Sequence, residues 1–411
     1  MKGEVRLGYK QTEVGVIPED WEVKTLDSVA LVTSGKRLPL GSSLTSQETP
    51  HPYIRVTDMR PGTVSLVDLM FVPVDVFPAI SRFRIFKGDI FISVAGTLGI
   101  VGRVPKELDG ANLTENADRI TNLTCSQDFL LHVLMSPLIQ TTIDTLQTIG
   151  AQPKLALTRI RKFLIPLPPT LAEQQAIAEA LSDVDALIDA LDRLIAKKRA
   201  IKQGAMQELL RPKGGWLATK LGSLGSFLKG SGVRKDEALS GDIPCVRYGE
   251  IYTRHDDYIR DFSSWISPAI AATARRLRTG DLLFAGSGET KEEIGKCVAF
   301  LDDTEAYAGG DVIILRQEVA SSMFLGYYLN TPLISRQKAS KGQGDAIVHI
   351  SSLALADIDL SLPPIDEQTA IAAILSDMDA EIAALERRRD KTKLLKQGMM
   401  QELLTGRIRL V

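Results

Sequence analysis

The sequence predicts a mixed α/β fold built twice: an α/β globule followed by one long helix, then a second such globule and a second such helix. Three observations predict it. A shift of about 194 positions lays residues 173–210 on 367–404 with about 23 of 38 identical. Both copies carry an apolar seam at heptad spacing. The segments between them repeat the same short motifs in the same order, more weakly.

In chain order, the opening to Pro18 is polar. Trp21 then precedes Lys24-Thr25-Leu26 and a stretch ending in Ser34-Gly35-Lys36-Arg37. Trp216 likewise precedes Lys220-Leu221 and a stretch ending in Lys229-Gly230-Ser231-Gly232. Pro52-Tyr53-Ile54-Arg55-Val56 answers Pro244-Cys245-Val246-Arg247-Tyr248, and both read as short strands. Lys87-Gly88-Asp89-Ile90-Phe91-Ile92 answers Thr279-Gly280-Asp281-Leu282-Leu283-Phe284, a Gly-Asp turn launching a buried strand. Gly-rich loops follow at Ala95-Gly96-Thr97-Leu98-Gly99 and at Ala285-Gly286-Ser287-Gly288-Glu289-Thr290. Segments around Ser136-Pro137 and Thr331-Pro332 read as helical turns.

Pro168-Pro169 and Pro363-Pro364 sit where a helix can start without an interior proline. The interiors are rich in Ala, Leu, Glu, Lys and Gln, which favour helix. The first seam is Ile177, Leu181, Val184, Ile188, Leu191, continued by Ile195; the second is Ile371, Leu375, Met378, Ile382, Leu385. Each helix would extend about 57 Å. A rod that long with one apolar stripe needs a partner, and the other copy is the obvious one. The Met-Gln-Glu-Leu-Leu endings fit either partner contacts or packing of the helix pair.

Hydrophobic residues make up 44% of the 411 and charged residues 24%, ordinary for a water-soluble chain of two or more domains. Cys125, Cys245 and Cys297 lie far apart, which excludes a disulfide framework and a zinc ribbon and fits a reducing cytoplasm. The start has no signal-peptide core, and no apolar run is long enough to span a membrane. A cytoplasmic location follows as the expectation. The net charge of −2 excludes a uniformly basic nucleic-acid binder but not a local basic patch. Basic residues do cluster, at Lys197-Lys198-Arg199, Arg275-Arg276, Arg278 and Arg387-Arg388-Arg389 among others, and each cluster alone is more simply a solvated face.

Catalytic constellations are missing. The four histidines are dispersed without metal-ligand spacing, and neither a nucleophile elbow nor a phosphate loop occurs. What remains is loop chemistry suited to base edges, where Arg or Lys meets guanine and Asn or Gln meets adenine. The first globule offers Lys36, Arg37, Thr57, Arg60, Asn112, Asn116, Gln152 and Lys154. The second offers Arg234, Lys235, Tyr248, Tyr252, Arg254, Lys291, Lys341 and Gln343. Any one of these is more simply an ordinary exposed loop residue, so the set carries the expectation. A non-catalytic coiled-coil adaptor presenting two protein-interaction modules stays open beside it.

The opening Lys10-Gln11-Thr12-Glu13-Val14-Gly15-Val16-Ile17-Pro18-Glu19-Asp20-Trp21, the Pro-Pro junctions with Glu173-Gln174 and Glu367-Gln368, and the paired Lys-Gln-Gly-x-Met-Gln-Glu-Leu-Leu endings resemble the specificity subunits of type I restriction-modification systems. The resemblance spans the chain. It implies target-recognition domains at 1–168 and 214–362, with conserved helices at 169–213 and 363–411. It implies antiparallel helices, a pseudo-two-fold relation between the halves, and a split double-stranded DNA target with one half-site per domain. It further implies two methyltransferase subunits and restriction subunits as partners, with S-adenosylmethionine, ATP and Mg used on those partners. Neither a catalytic residue nor a cofactor would belong to this chain, which would be a non-catalytic subunit of a methyltransferase and endonuclease complex.

Overall fold

Short apolar runs bounded by Gly, Pro and Asp fold as short strands, and the Ala/Leu/Glu-rich stretches fold as two 39-residue helices, in a computed structural model describing residues 6–147, 154–344 and 347–410. The chain divides into two units. One comprises Met1–Asp192 with Arg387–Val411, the other Arg193–Glu386.

In the first unit the strands include β1 (Glu22–Thr25), β2 (Leu31–Ser34), β3 (Pro52–Ile54), β4 (Met70–Phe71), β5 (Arg84–Ile85), β6 (Ile90–Ser93), β7 (Val101–Arg103), β8 (Ala111–Leu113) and β9 (Ala117–Thr121). Helices α1 (Gln127–Met135) and α2 (Pro137–Gln147) follow, then β10 (Leu164–Leu167) and α3 (Leu171–Leu209). One antiparallel sheet has the order β7-β6-β9-β2. A second has the order β4-β3-β8-β5, parallel where β3 meets β8. β1 pairs with β10. The Gly-Asp turn does what its sequence implies: Asp89 accepts from the Phe86 amide, and all four residues of β6 are buried.

The second unit repeats that plan. Its strands include β11 (Leu217–Lys220), β12 (Gly225–Lys229), β13 (Ile243–Val246), β14 (Ser264–Ile266), β15 (Arg275–Arg276), β16 (Leu282–Ala285), β17 (Cys297–Ala299), β18 (Tyr307–Ala308), β19 (Val312–Gln317) and β20 (Asp359–Leu362). Its helices of six residues or more are α4 (Tyr248–Thr253), α5 (Ser322–Tyr328), α6 (Pro332–Lys341) and α7 (Ile365–Leu403). The sheets run β17-β16-β19-β12 and β14-β13-β18-β15, again parallel at one pair, β13 with β18. Strand order and strand direction therefore coincide in two globules whose sequences have drifted apart.

Each long helix contributes to both units, dividing after Asp192 in α3 and after Glu386 in α7. In the first unit Asp185 pairs with Lys396 at 2.6 Å and Asp192 with Arg389 at 3.2 Å. In the second, Lys198 pairs with Glu381 at 2.7 Å and Lys202 with Asp379 at 2.7 Å. Numbers rise on one helix as they fall on the other, so α3 and α7 are antiparallel. The Lys202–Asp379 and Lys396–Asp185 bonds are one contact made reciprocally.

The seam residues Ile188, Leu191, Ile195, Ile371, Leu375 and Ile382 are buried, and Val184, Met378 and Leu385 are half-buried. The first residues of each seam do more than pair helices. Ile177 and Leu181 join the core of the first globule together with Met400, Leu403 and Leu404 from the far end of α7. Ile371 and Leu375 join the second core together with Leu210 and the half-buried Met206 and Leu209. The Met-Gln-Glu-Leu-Leu endings thus close globule cores.

Gln174 and Gln368 lock the helix starts identically. Gln174 accepts from the Ser126 amide (2.8 Å) and donates to the Pro168 carbonyl (3.0 Å). Gln368 accepts from the Ser321 amide (2.9 Å) and donates to the Pro363 carbonyl (2.9 Å). Ser126 and Ser321 in turn cap α1 and α5.

Candidate nucleic-acid interface

In both units an arginine just past the third strand turns the backbone. The Arg55 amide and guanidinium donate to Asp58 (2.8, 2.9 and 2.6 Å), and those of Arg247 donate to Glu250 (3.3 and 3.0 Å). Asp58 and Glu250 are buried, so the turn is fixed from inside. This leaves Thr57 and Arg60 exposed in the first globule, and Tyr248 and Arg254 exposed in the second.

The second globule has a concavity of about 520 Å³ lined by Tyr248, Tyr252, Ser287, Gly288, Glu289 and Ile347. Helix α4 forms one side. The opposite side is held by the pairing of Ser287–Gly288 with Val348–His349 and by a 2.9 Å contact between the Ser287 hydroxyl and His349 Nδ1. The Tyr252 hydroxyl is buried with no hydrogen-bond partner among the described residues, and burial raises its pKa. The two tyrosine rings beside Glu289 can stack on a planar group and bond to its edge, while Lys291 and Gln343 are exposed on the same domain.

The other sequence candidates scatter. Lys36 and Arg37 are exposed after β2; Arg37 pairs with Glu115 at 3.3 Å and Lys36 lies over the Phe83 ring. Asn116 is half-buried, and Lys154 and Arg234 are exposed. Lys341 is half-buried and bonded to Asp357. Lys235 belongs to a single 3-10 turn, and Gln152 lies outside the described residues. Asn112 requires a correction: it is not a loop residue. It sits in β8, 1% exposed, and its amide donates to the Ile80 and Phe83 carbonyls, so it presents nothing to a base edge. A three-residue strand is too short for its alternation to show in sequence.

The basic clusters on the helices are partly spent within the chain. Lys198 pairs with Glu381, Arg199 with Glu386 and Arg389 with Asp192, while Lys197, Arg387 and Arg388 are exposed. Among the described residues no group of three or more His, Cys, Asp or Glu is placed to hold a metal ion. Among them, too, no helix is long and apolar enough to cross a membrane.

The model of the type I restriction modification DNA specificity domain matches the chain twice, over residues 18–200 and 213–395. The chain belongs to that family. Such a type I specificity subunit has relatives along its whole length. It is 26% identical over 98% of the chain, and 96% of the relative, to the putative type I restriction enzyme MjaX specificity subunit of Methanocaldococcus jannaschii. It is 23% identical over 96% of the chain, and 94% of the relative, to the MjaVIII specificity subunit of the same organism. Among solved structures it is similar to the type I restriction-modification S subunit from M. genitalium, with a TM-score of 0.58 and 16% identity over 93% of this chain and 96% of that one. A chain from a type I R-M system studied for its complex assembly gives a TM-score of 0.56 at 18% identity, covering 95% and 99%. These likenesses agree on the fold: two mixed α/β target-recognition domains with a long helix after each.

In this specificity subunit Arg82 and Arg84, outside the polar loops singled out from sequence, are both exposed on or beside β5. The signal was present. The shift that lays Gly88-Asp89 on Gly280-Asp281 also lays Arg84-Ile85 on Arg276-Leu277.

Proposed function

We propose that this specificity subunit binds a bipartite double-stranded DNA target, each domain taking one half-site, with the paired helices fixing the unread spacer. Two methyltransferase subunits dock on it, and restriction subunits join them. S-adenosylmethionine, ATP and Mg chemistry belongs to those partners, and this chain contributes binding and geometry rather than catalysis. The observation that carries the reading is the repetition itself: two globules with one strand order, joined to an antiparallel helix pair by reciprocal Lys202–Asp379 and Lys396–Asp185 bonds. In the second domain the concavity lined by Tyr248, Tyr252 and Glu289 is the base-reading surface. Phosphate contacts supply affinity, and base-edge contacts supply discrimination.

Because each helix divides at the same place in the repeat, lengthening the rod without breaking either set of ion pairs takes two insertions. About four residues after Asp192 and about four after Glu386 add about 6 Å. Methylation-sensitive sequencing of a host carrying this variant with its methyltransferase should show the old half-sites at a new spacing. Altered half-sites at the old spacing would sink the proposal. Purified assembly that fails to bind DNA in a salt-dependent way would favour a protein-binding adaptor.

A further inference from the structure

We propose that the outer edge of the second sheet in each domain, β5 in the first and β15 in the second, is where this chain grips the DNA phosphate backbone, through Arg82, Arg84 and Lys36 on one side and Arg275, Arg276 and Arg278 on the other. The inference rests on the DNA-binding reading and assigns to particular residues the part of binding that carries no sequence information.

The two edges are built alike. Arg84 lies opposite Asn112, which lies opposite Tyr53; Arg276 lies opposite Tyr307, which lies opposite Cys245. Arg84 and Arg276 therefore occupy one register position. Beside each edge the chain leaves the first sheet at a glycine. Gly35 donates to the Ala117 carbonyl and Gly230 to that of Val312. A Cβ on either glycine would collide with a backbone carbonyl, of Thr114 or of Gly309. That close approach brings Lys36 over Phe83 in the first domain, and lets the Ser231 hydroxyl bond to the Thr273 carbonyl in the second.

A half-buried arginine, held by a buried aspartate, braces each edge. Arg119 donates to the Arg84 carbonyl and lies 4.0 Å from Asp89. Arg316 donates to the Arg276 carbonyl at 3.2 Å and to Asp281 at 2.7 Å. The braces reach these contacts from different strand positions: Arg119 precedes the residue paired with Ile90, and Arg316 follows the residue paired with Leu282. The arrangement has been kept while the residues delivering it changed.

The outer side chains face water. Arg82, Arg84, Lys36, Arg275, Arg276 and Arg278 are all exposed. The first edge borders a hollow of about 190 Å³ whose lining includes Arg82, Arg84 and Arg119 and no carboxylate. The second borders a hollow of about 580 Å³ that also contains Asp303 and Glu305, with Glu305 4.0 Å from Arg276. The second grip is thus the weaker. Charged residues often guard an exposed strand edge against pairing, and lysine is the usual guard. Arginine on a braced strand, at one register position in two diverged domains, suits a backbone phosphate better, because the planar guanidinium bonds two phosphate oxygens through two parallel donors.

The test uses the full specificity–methyltransferase complex and two DNA duplexes, one cognate and one scrambled, titrated across a salt series. Arg82→Gln with Arg84→Gln should lower the slope of log affinity against log salt by about 1 to 2, equally on both duplexes, with the methylated half-site unchanged. Arg275→Gln, Arg276→Gln and Arg278→Gln together should lower it by about 1 or less. An unchanged slope in both variants overturns the inference while leaving the DNA reading intact. So does a loss confined to the cognate duplex, or failure of the variants to assemble with the methyltransferase. Wild-type complex with no salt-dependent DNA binding removes the reading and the inference together.

Discussion

One contact is made twice in this chain, in two different settings. In the second unit Lys202 meets Asp379 with both side chains nearly buried, at 13% and 7% exposure. Tyr327 donates to the same carboxylate (2.6 Å), Arg260 pairs with it (3.1 Å), and Asp257 stands 3.4 Å from the ammonium, its own carboxyl pushed above the usual range by burial. In the first unit Lys396 meets Asp185 at 40% exposure of the carboxylate, and the place of Tyr327 is taken by His132, bonded to Ser182. The repeat has preserved geometry while burial has changed what that geometry is worth.

The comparison breaks most readily at Asp379. Replacing it with Asn leaves Lys202 and Arg260 short of a carboxylate in a largely dry site, and we expect a loss of about 3 kcal/mol in urea unfolding of the full chain. A loss no larger than that of the Asp185 variant would erase the contrast.

Next in size is the pH response of His132. Burial, with Lys396 adding to it and Asp185 opposing, lowers its pKa to about 4. Asp128 and Arg103 also face it, with opposite effects. Between pH 6.5 and about 4 the unfolded chain carries a proton there that the native fold does not. Stability from this residue is therefore full above pH 6.5 and falls as pH drops toward 4, by about 3 kcal/mol at most. Unfolding curves at pH 7 and 4.5 should differ less for His132→Tyr than for the wild type, and equal pH dependence would refute the assignment.

Gln174 and Gln368 sharpen the comparison from the other direction, because their contacts and burial coincide. Each, changed to Ala, strands a buried amide and a buried carbonyl. We expect about 2 kcal/mol apiece, agreeing within about 0.5 kcal/mol. A large inequality would show that the two helix starts are not equivalent. Asp185→Asn is the smallest, under about 1 kcal/mol, because the solvent that reaches the carboxylate screens the pair.

Local chemistry was legible before the structure. Pro168-Pro169 and Pro363-Pro364 announced helices that run Leu171–Leu209 and Ile365–Leu403, and the Gly-Asp turns announced β6 and β16. The heptad seam was legible as a pairing face. That Ile177 and Leu181 turn into a globule core was not, because one apolar stripe looks the same whichever surface covers it. Nor was the parallel pairing of Tyr53 and Ile54 with Asn112 and Leu113 visible, since about 60 intervening residues separate the strands and nothing local encodes the partner. The same blindness made Asn112 look like a loop residue. The candidate site was legible as a set of polar loops. The concavity at Tyr248 and Tyr252 was not, because its far wall comes from Ser287, Gly288 and Ile347.

Arg409 forms a two-pronged bond with Glu173 across 236 positions, and Leu403 and Leu404 plug the same globule. A nascent chain leaving the ribosome therefore presents a first domain lacking its lid. The second domain emerges, acquires both of its helix halves and can settle while the first still waits. Translation order and completion order are reversed, so a cell short of chaperones would meet the amino-terminal half as the sticky, protease-sensitive species.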